Sequence, residues 1–424
     1  MALTFLQKLQ FAWNRFLLEF IPPPHARKSL TWQDVPAAFA YMLLYGFMAY
    51  LVRRRDTQLG RLLLLPSIIY LAIRGVFYYD FSHPDYMFHN WCRGLMGLSL
   101  IARSIDFAFA RQGVRKAGEK QLPAVHETIP KPSNTQSVTR FLPHWASEAI
   151  EVSTTLRWIG WELGKGVSIP PDTRPKERSA FLKATFWRFI KNLLVVDILL
   201  ECIKSYPGIG SPIGGTLFLP GLPPLQRYTL STVITIISGT AMIAAFHAIQ
   251  YFGTLIAVGL LGQSPELWPP LMNNPWASDS ISDLWAKRWH QMLRRVFLVY
   301  GGIPGGWIAG RPGFILGTFF ASGLLHECSI YVLGRGMDHR VTFFFTFQGV
   351  CVLLEVLWYK VTGRKVRGWG GRLWTFLIVL TTGQACLDAW FMRGLGGSRY
   401  ISWWMSPAQM IIFPIVHQLI AALR

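Results

Sequence analysis

The sequence predicts an all-α, polytopic membrane protein with about 8–10 membrane segments, one of them re-entrant. Three observations carry that expectation. Only 15% of the 424 residues are charged and 51% are hydrophobic, whereas a soluble domain carries about a quarter charged. Aromatic residues reach 14%, with 18 Trp and 29 Phe, a composition opposite to that of disordered chains. Apolar stretches long enough to cross a hydrocarbon core of about 30 Å recur along the chain, so residues 1–424 read as one integral membrane domain.

The first element is an interfacial helix within residues 1–20. Apolar residues recur at spacings of three and four from Leu3 to Phe20, with Lys8, Arg15 and Glu19 between them. Pro22, Pro23 and Pro24 end it. Seven stretches then have the length and hydropathy of spans: 35–52, 62–79, 94–110, 314–333, 341–359, 373–391 and 401–423. Residues 189–203 are a weaker candidate, short and interrupted by Lys191, Asp197 and Glu201. Residues 228–262 carry no formal charge, and as one helix they would extend roughly 50 Å. The sequence therefore predicts either a strong tilt or a break at Gly239 or Gly253.

Clusters of basic residues set the expected sidedness. Arg53, Arg54, Arg55 and Arg61 flank one connection, and Lys360, Arg364, Lys365, Arg367 and Arg372 flank another. Both are expected on the cytosolic side, together with the polar, basic loop 111–188. Three full crossings between Arg295 and Arg364 would put one cluster on the wrong side. Residues 297–309, short and rich in Gly and Pro, therefore read as the re-entrant segment. The net charge of +20, from 42 basic and 22 acidic residues, follows from basic loops beside a lipid bilayer and does not require a nucleic-acid partner. Cys92, Cys202, Cys328, Cys351 and Cys386 are scattered, with no C-x-x-C pair, and signal neither a zinc site nor a disulfide framework.

Ionisable side chains within apolar spans are costly and mark candidate sites. In Ser322-Gly323-Leu324-Leu325-His326-Glu327, a histidine and an acid interrupt an apolar run. Histidine is matched to proton transfer near neutral pH; the alternative is a structural histidine bonded to a neighbouring helix. His247 and His417 have no acidic neighbour in sequence and read as packing or hydrogen-bonding residues. Asp106, Glu355 and Asp388 read as partners for arginines such as Arg103 or Arg393. A second constellation runs from Asn273 to His290. Helical spacing from Ser280 or Ser282 would stack Ile281, Trp285 and Trp289 on one face and leave Lys287, Arg288, Arg294 and Arg295 near the other. That helix is expected at the interface, with a membrane anchor as the alternative to a binding edge.

Ser282-x-x-Trp285-x-x-Arg288-Trp289-His290, followed about 35 residues later by Ser322-Gly323-x-x-His326-Glu327, resembles the wax synthase-like branch of membrane-bound O-acyltransferases. The motif-bearing region is 263–333. The resemblance implies that His326 is catalytic and His290 a second site residue. Histidine instead of Asn at 290 is similar to the fungal branch, whose members acylate terpenoid or polyketide-derived alcohols of specialised metabolism.

The resemblance also implies acyl transfer from acyl-coenzyme A to the hydroxyl of a lipophilic alcohol, with no metal and with acetyl as the favoured acyl group. The setting is multi-pass, in the endoplasmic reticulum. His326 would be the general base, and His290 would orient the acceptor or stabilise oxyanion charge. Lys287, Arg288, Arg294 and Arg295 would meet the coenzyme A phosphates; Trp285, Trp289, Asn274 and Glu327 would position substrate. A long-chain alcohol or sterol fatty-acyltransferase is the alternative. Two further classes remain: an intramembrane prenyltransferase, suggested by Asn274, Asp279 and Asp283 but lacking a second Asp cluster, and a transporter, lacking a paired repeat.

Overall fold

A computed structural model describes residues 4–125 and 143–422. The regular secondary structure of the described residues is almost wholly helical, with one two-residue parallel pairing of Lys28–Ser29 with Tyr79–Asp80. Among the described residues, four helical stretches are long and apolar enough to cross a membrane, Gln58–Phe77, Pro224–Leu260, Arg294–Tyr331 and Arg340–Thr362, the third of them folded back on itself at Ala309 and Gly310. The architecture is that of an all-α integral membrane protein.

The N-terminal helix is Phe5–Phe20, with Leu9, Phe11, Trp13 and Leu18 exposed. The expected span 35–52 is broken at Phe39 into Val35–Ala38 and Ala40–Val52. Helices Ala40–Val52, Gln58–Phe77 and Met87–Phe109 pack together around Met48, Ile68 and Phe107, all fully buried. Arginines knit the ends of these helices to the following loop. Arg61 donates to the carbonyl oxygens of Phe107 and Ala110, and Arg53 and Arg54 share the carboxylate of Glu148 on helix His144–Thr154 at 2.7 and 2.9 Å. The basic cluster read from the sequence as a marker of sidedness is thus largely a buried network. Stretch 111–188 is correspondingly more than a loop: it holds His144–Thr154 and the start of Arg178–Lys204. Its residues 126–142 lie outside the described residues.

Helix Arg178–Lys204 is longer than the expected 189–203, because its N-terminus is capped by Glu177, whose carboxylate accepts from the amides of Ser179 and Ala180. Asp197 within it accepts from Ser406 Oγ at 2.5 Å and from the amide of Ala408 at 2.7 Å. The expected span 401–423 is instead divided: a short turn at Trp403–Met405, a wide turn Ala408–Ile412 after Pro407, and helix Phe413–Ala422. Segment 228–262 does not break at Gly239 or Gly253. It is helical as Pro224–Thr254 and continues through a wide π turn, Leu255–Leu260.

The re-entrant expectation takes a definite form. Helical conformation from Arg294 reverses at Ala309 (φ −137°, ψ 27°) and Gly310 (φ 58°, ψ −142°), then resumes to Tyr331. The two arms run antiparallel at backbone contact: a Cβ on Gly301 would sit 2.0 Å from the carbonyl oxygen of Gly317, and one on Gly305 would sit 2.2 Å from that of Gly313. The 38-residue Arg294–Tyr331 stretch is therefore a hairpin, whose first arm extends only about 22 Å. It presents Trp307 and Ile308 at its tip, 82% and 86% exposed.

This contact predicts a position-specific effect. Gly301→Ala forces the arms apart and should destabilise the protein by about 1–3 kcal/mol. Gly306→Ala places its Cβ no nearer than 3.6 Å to Phe314 and should leave stability unchanged or slightly raised. Thermal unfolding of the two variants in detergent checks the contrast; equal midpoints would contradict the hairpin contact.

Candidate active site

The Asn273–His290 segment begins with a helix start that needs acceptors. Ser280 Oγ accepts from the amide of Asp283 at 2.9 Å. The carboxylate of Glu355, on helix Arg340–Thr362, accepts from the amides of Ile281 and Ser282 at 2.6 and 2.9 Å and from the Trp374 indole at 3.1 Å. The turn then widens to a π conformation over Leu284–Arg288 and leaves the helix at Trp289, whose backbone is extended. Gln291 donates to the carbonyl oxygens of Trp285 and Trp289 at 3.0 and 3.4 Å, pinning the exit.

The structure corrects the expected amphipathic helix here. It ends before Trp289, and its aromatic residues face protein. Ile281 is fully buried. Trp285 donates to Gln348 at 3.3 Å and packs edge-on against Phe319 and Phe344.

The extended exit turns His290 inward against Phe246, ring centroids 4.5 Å apart. His326 lies on the returning arm of the hairpin, its ring stacked on Phe345 at 4.7 Å and 21°. Both histidines line one internal chamber of about 550 Å³, and the surface they leave uncovered faces that chamber. His326 Nδ1 is 2.7 Å from the carbonyl oxygen of Ser322, one turn earlier. A carbonyl only accepts, so Nδ1 carries the proton and Nε2 keeps its lone pair. His290 Nδ1 has no hydrogen-bond partner among the described residues. Burial and the neighbouring His326 hold the His290 imidazole well below its ordinary range, so it is neutral at pH 7.

The four cations named from the sequence separate in the structure. Arg288 is paired with Asp283 and also donates to the carbonyl oxygen of Asn273. Arg295 is paired with Asp106. Lys287 is exposed. Arg294 lines the chamber beside Gly166, and its guanidinium makes no hydrogen bond or ion pair among the described residues.

Of the other candidates, Trp285 and Trp289 line the chamber, while Asn274 and Glu327 do not. Asn274 is exposed in left-handed conformation (φ 42°) at the start of the Pro275–Ala277 turn. Glu327 is buried on another face of its helix and accepts from the amide of Asp338 at 2.7 Å. His247 stacks on Tyr251 at 5.9 Å, and the side chain of His417 lies outside the described residues.

Two of the acids in the spans pair with arginines as expected, though not with the two named: Asp106 takes Arg295, and Asp388 takes Arg340 together with Thr216 and the Leu217 amide, whereas Glu355 takes backbone amides. Arg103 instead binds Tyr45 and the carbonyl oxygens of Val152 and Thr155. Sequence reasoning missed Gln291, Gln348 and Phe345. The unsatisfied amides of the helix start at Ile281 were the one signal pointing to Glu355.

An α-helical membrane fold that sets two histidines in the wall of one largely apolar chamber is the class these observations define. Comparison with known proteins adds a family. Residues 268–347, which hold both histidines, match the model of the membrane bound O-acyl transferase family, and through that segment the chain is related to it. Among curated proteins, the chain is similar to Acetyltransferase aurG of Calcarisporium arbuscula, 30% identical over 42% of this chain and 41% of that protein. It is also similar to O-Mevalon transferase macI of Penicillium terrestre, 26% identical over 52% of this chain and 54% of that protein. A third relative is Probable long-chain-alcohol O-fatty-acyltransferase 8 of Arabidopsis thaliana, 27% identical over 55% of this chain and 64% of that protein. The chain thus spans about half the length of the curated relatives it matches.

The separation of the cations predicts different phenotypes for neighbouring substitutions. Arg295→Gln and Arg288→Gln each leave a partly buried carboxylate without its partner and should lower the unfolding midpoint in detergent. Arg294→Gln removes a cation without a protein partner and should leave the midpoint within experimental error. Equal losses of stability at all three positions would contradict the assignment.

Proposed function

We propose that the protein is an acyl-coenzyme A-dependent O-acyltransferase acting on a lipophilic alcohol, as a single membrane domain over residues 1–424 with its chemistry in 263–333. The observation that carries this reading is His326, whose Nδ1–H is committed to the Ser322 carbonyl while its ring lines a largely apolar chamber. Nε2 takes the proton of the acceptor hydroxyl as that oxygen attacks the thioester carbonyl carbon. The tetrahedral adduct carries its negative charge on the former carbonyl oxygen, and the N–H of neutral His290 donates to that oxygen. Collapse breaks the carbon–sulfur bond, and the leaving thiolate takes the alcohol's proton from His326, which returns the ring to its neutral form. The products are an ester and free coenzyme A.

Arg294 is the cation placed to meet a phosphate of the donor. Arg288 and Arg295 act at one remove, by holding the segment that carries His290 and the base of the hairpin that carries His326. The relatives from Calcarisporium arbuscula and Penicillium terrestre, named as an acetyltransferase and an O-Mevalon transferase, support an acetyl or other short acyl group, and the acceptor in this reading is a terpenoid or polyketide-type alcohol. The Arabidopsis thaliana relative supports the second reading, transfer of a fatty acyl group to a long-chain alcohol. Acetyl-coenzyme A and an endoplasmic reticulum membrane are the donor and setting adopted here.

The test is incubation of the purified protein with a panel of acyl-coenzyme A donors and lipophilic alcohols, following thiol release and ester mass. His326→Ala should reduce turnover by about 10²–10⁴-fold with folded protein retained. His290→Asn should keep more activity than His290→Ala, because an amide N–H still donates. Near wild-type ester formation by well-folded His326→Ala would remove the base from the mechanism.

A further inference from the structure

The turn after the Arg340–Thr362 helix is cationic and has no acid to answer it. From Val356 to Leu387 the chain carries Lys360, Arg364, Lys365, Arg367 and Arg372 and not one Asp or Glu. Lys360, Arg364, Lys365 and Arg367 are exposed, and none of the five forms an ion pair among the described residues. The Arg372 guanidinium lies 5.2 Å from the ring centroid of Trp369. The other basic cluster behaves differently: Arg53 and Arg54 are buried against Glu148, and Arg61 against backbone carbonyl oxygens.

The surroundings of this turn are those of a membrane surface. Helix Arg340–Thr362 is long and apolar enough to cross a membrane, and Gly363, left-handed at φ 68°, turns the chain at its end. The cations therefore stand where the helix leaves the hydrocarbon. Trp358, Tyr359 and Trp369 are each at least half exposed beside them, and rings of this kind sit at headgroup level. Cations at that depth meet lipid phosphates and carboxylates.

The turn is also joined to the segment that carries His290. Glu355, seven residues before Thr362 and so about 10 Å along the helix, accepts from the amides of Ile281 and Ser282. Two residues beyond Arg372, the Trp374 indole donates to the same carboxylate at 3.1 Å. Gly371 lies so close to Asp279 that a Cβ on it would sit 2.1 Å from the Asp279 carbonyl oxygen. Both helix ends at the turn thus bear on residues 279–290. Like charges crowded on one turn repel each other, so an anion held among them draws the two helix ends together.

We propose that the Lys360–Arg372 turn is a binding site for anionic phospholipid headgroups of the leaflet into which it emerges, and that an occupied turn steadies the Glu355 cap and the start of the His290 segment. The proposal goes beyond the acyl-transfer reading and does not need it.

The experiment uses the full chain in bilayers of phosphatidylcholine alone or mixed with phosphatidylserine, including a phosphatidylserine probe with a diazirine at its headgroup end. Crosslinks should fall within residues 358–372. They should drop about tenfold or more when Lys360, Arg364, Lys365 and Arg367 are all replaced by Gln, and also drop at high salt. Amide hydrogen exchange over 279–290 should be slower with phosphatidylserine than without it, and this difference should vanish in the variant. Should the fourfold variant fail to fold, Arg364→Gln with Lys365→Gln carries the same test, with a loss of about threefold or more. Crosslinks outside the turn, crosslinks undiminished in a folded variant, or exchange over 279–290 that ignores the lipid each overturn the proposal. Displacement of the probe by coenzyme A also overturns it, by assigning these cations to a soluble nucleotide. Neither readout requires turnover, so a failure here leaves acyl transfer untouched, and absence of ester formation leaves the lipid site standing.

Discussion

The carboxylate of Glu355 accepting from the amides of Ile281 and Ser282 is the contact on which the site's geometry depends. Backbone amides at a helix start inside a membrane protein have no water to turn to, and each left unpaired costs several kcal/mol. One buried acid meets two of them and joins the Arg340–Thr362 helix to the segment that carries His290. From that fixed start the π turn and the extended exit follow, and Gln291 holds the exit in place. The same economy recurs elsewhere. Asp197 serves the start of the wide turn at Ala408, and Asp388 serves the Leu217 amide together with Arg340.

The second constraint is steric. The glycines facing one another across the hairpin allow backbone contact between its arms, and that contact brings the His326 arm back across the chamber. The hairpin base is held by the Arg295–Asp106 pair to helix Met87–Phe109. Two histidines 36 positions apart thereby line one cavity without either belonging to a conventional crossing pair of helices.

Fold class, the N-terminal helix and most helical stretches were legible in the sequence, because hydropathy and length report directly on the cost of burial in lipid. The doubling back at 297–309 was legible through the arithmetic of basic clusters, although the arginines at 53, 54 and 61 turned out to serve buried partners. His326 and His290 were legible as ionisable groups in an unusual context and through the motif that joins them. Partner choice was not. Nothing in the local sequence says that Glu355 caps amides while Asp106 takes Arg295, or that Arg294 is left open, because these pairings are fixed by packing between helices far apart in the chain. The break at Pro407 in the last expected span was visible as a proline. The continuity of 228–262 through Gly239 and Gly253 was not, since glycine permits a break without requiring one.

The central claim is that His326 presents a bare Nε2 to the chamber because its Nδ1 proton is held by the Ser322 carbonyl. Solid-state nitrogen NMR of histidine-labelled protein in bilayers at neutral pH, with the His326 signal assigned by its loss in His326→Ala, reads that directly. The account predicts a neutral ring with its proton on Nδ1 and an unprotonated Nε2. A His326 ring protonated on Nε2, with Nδ1 bare, would contradict it.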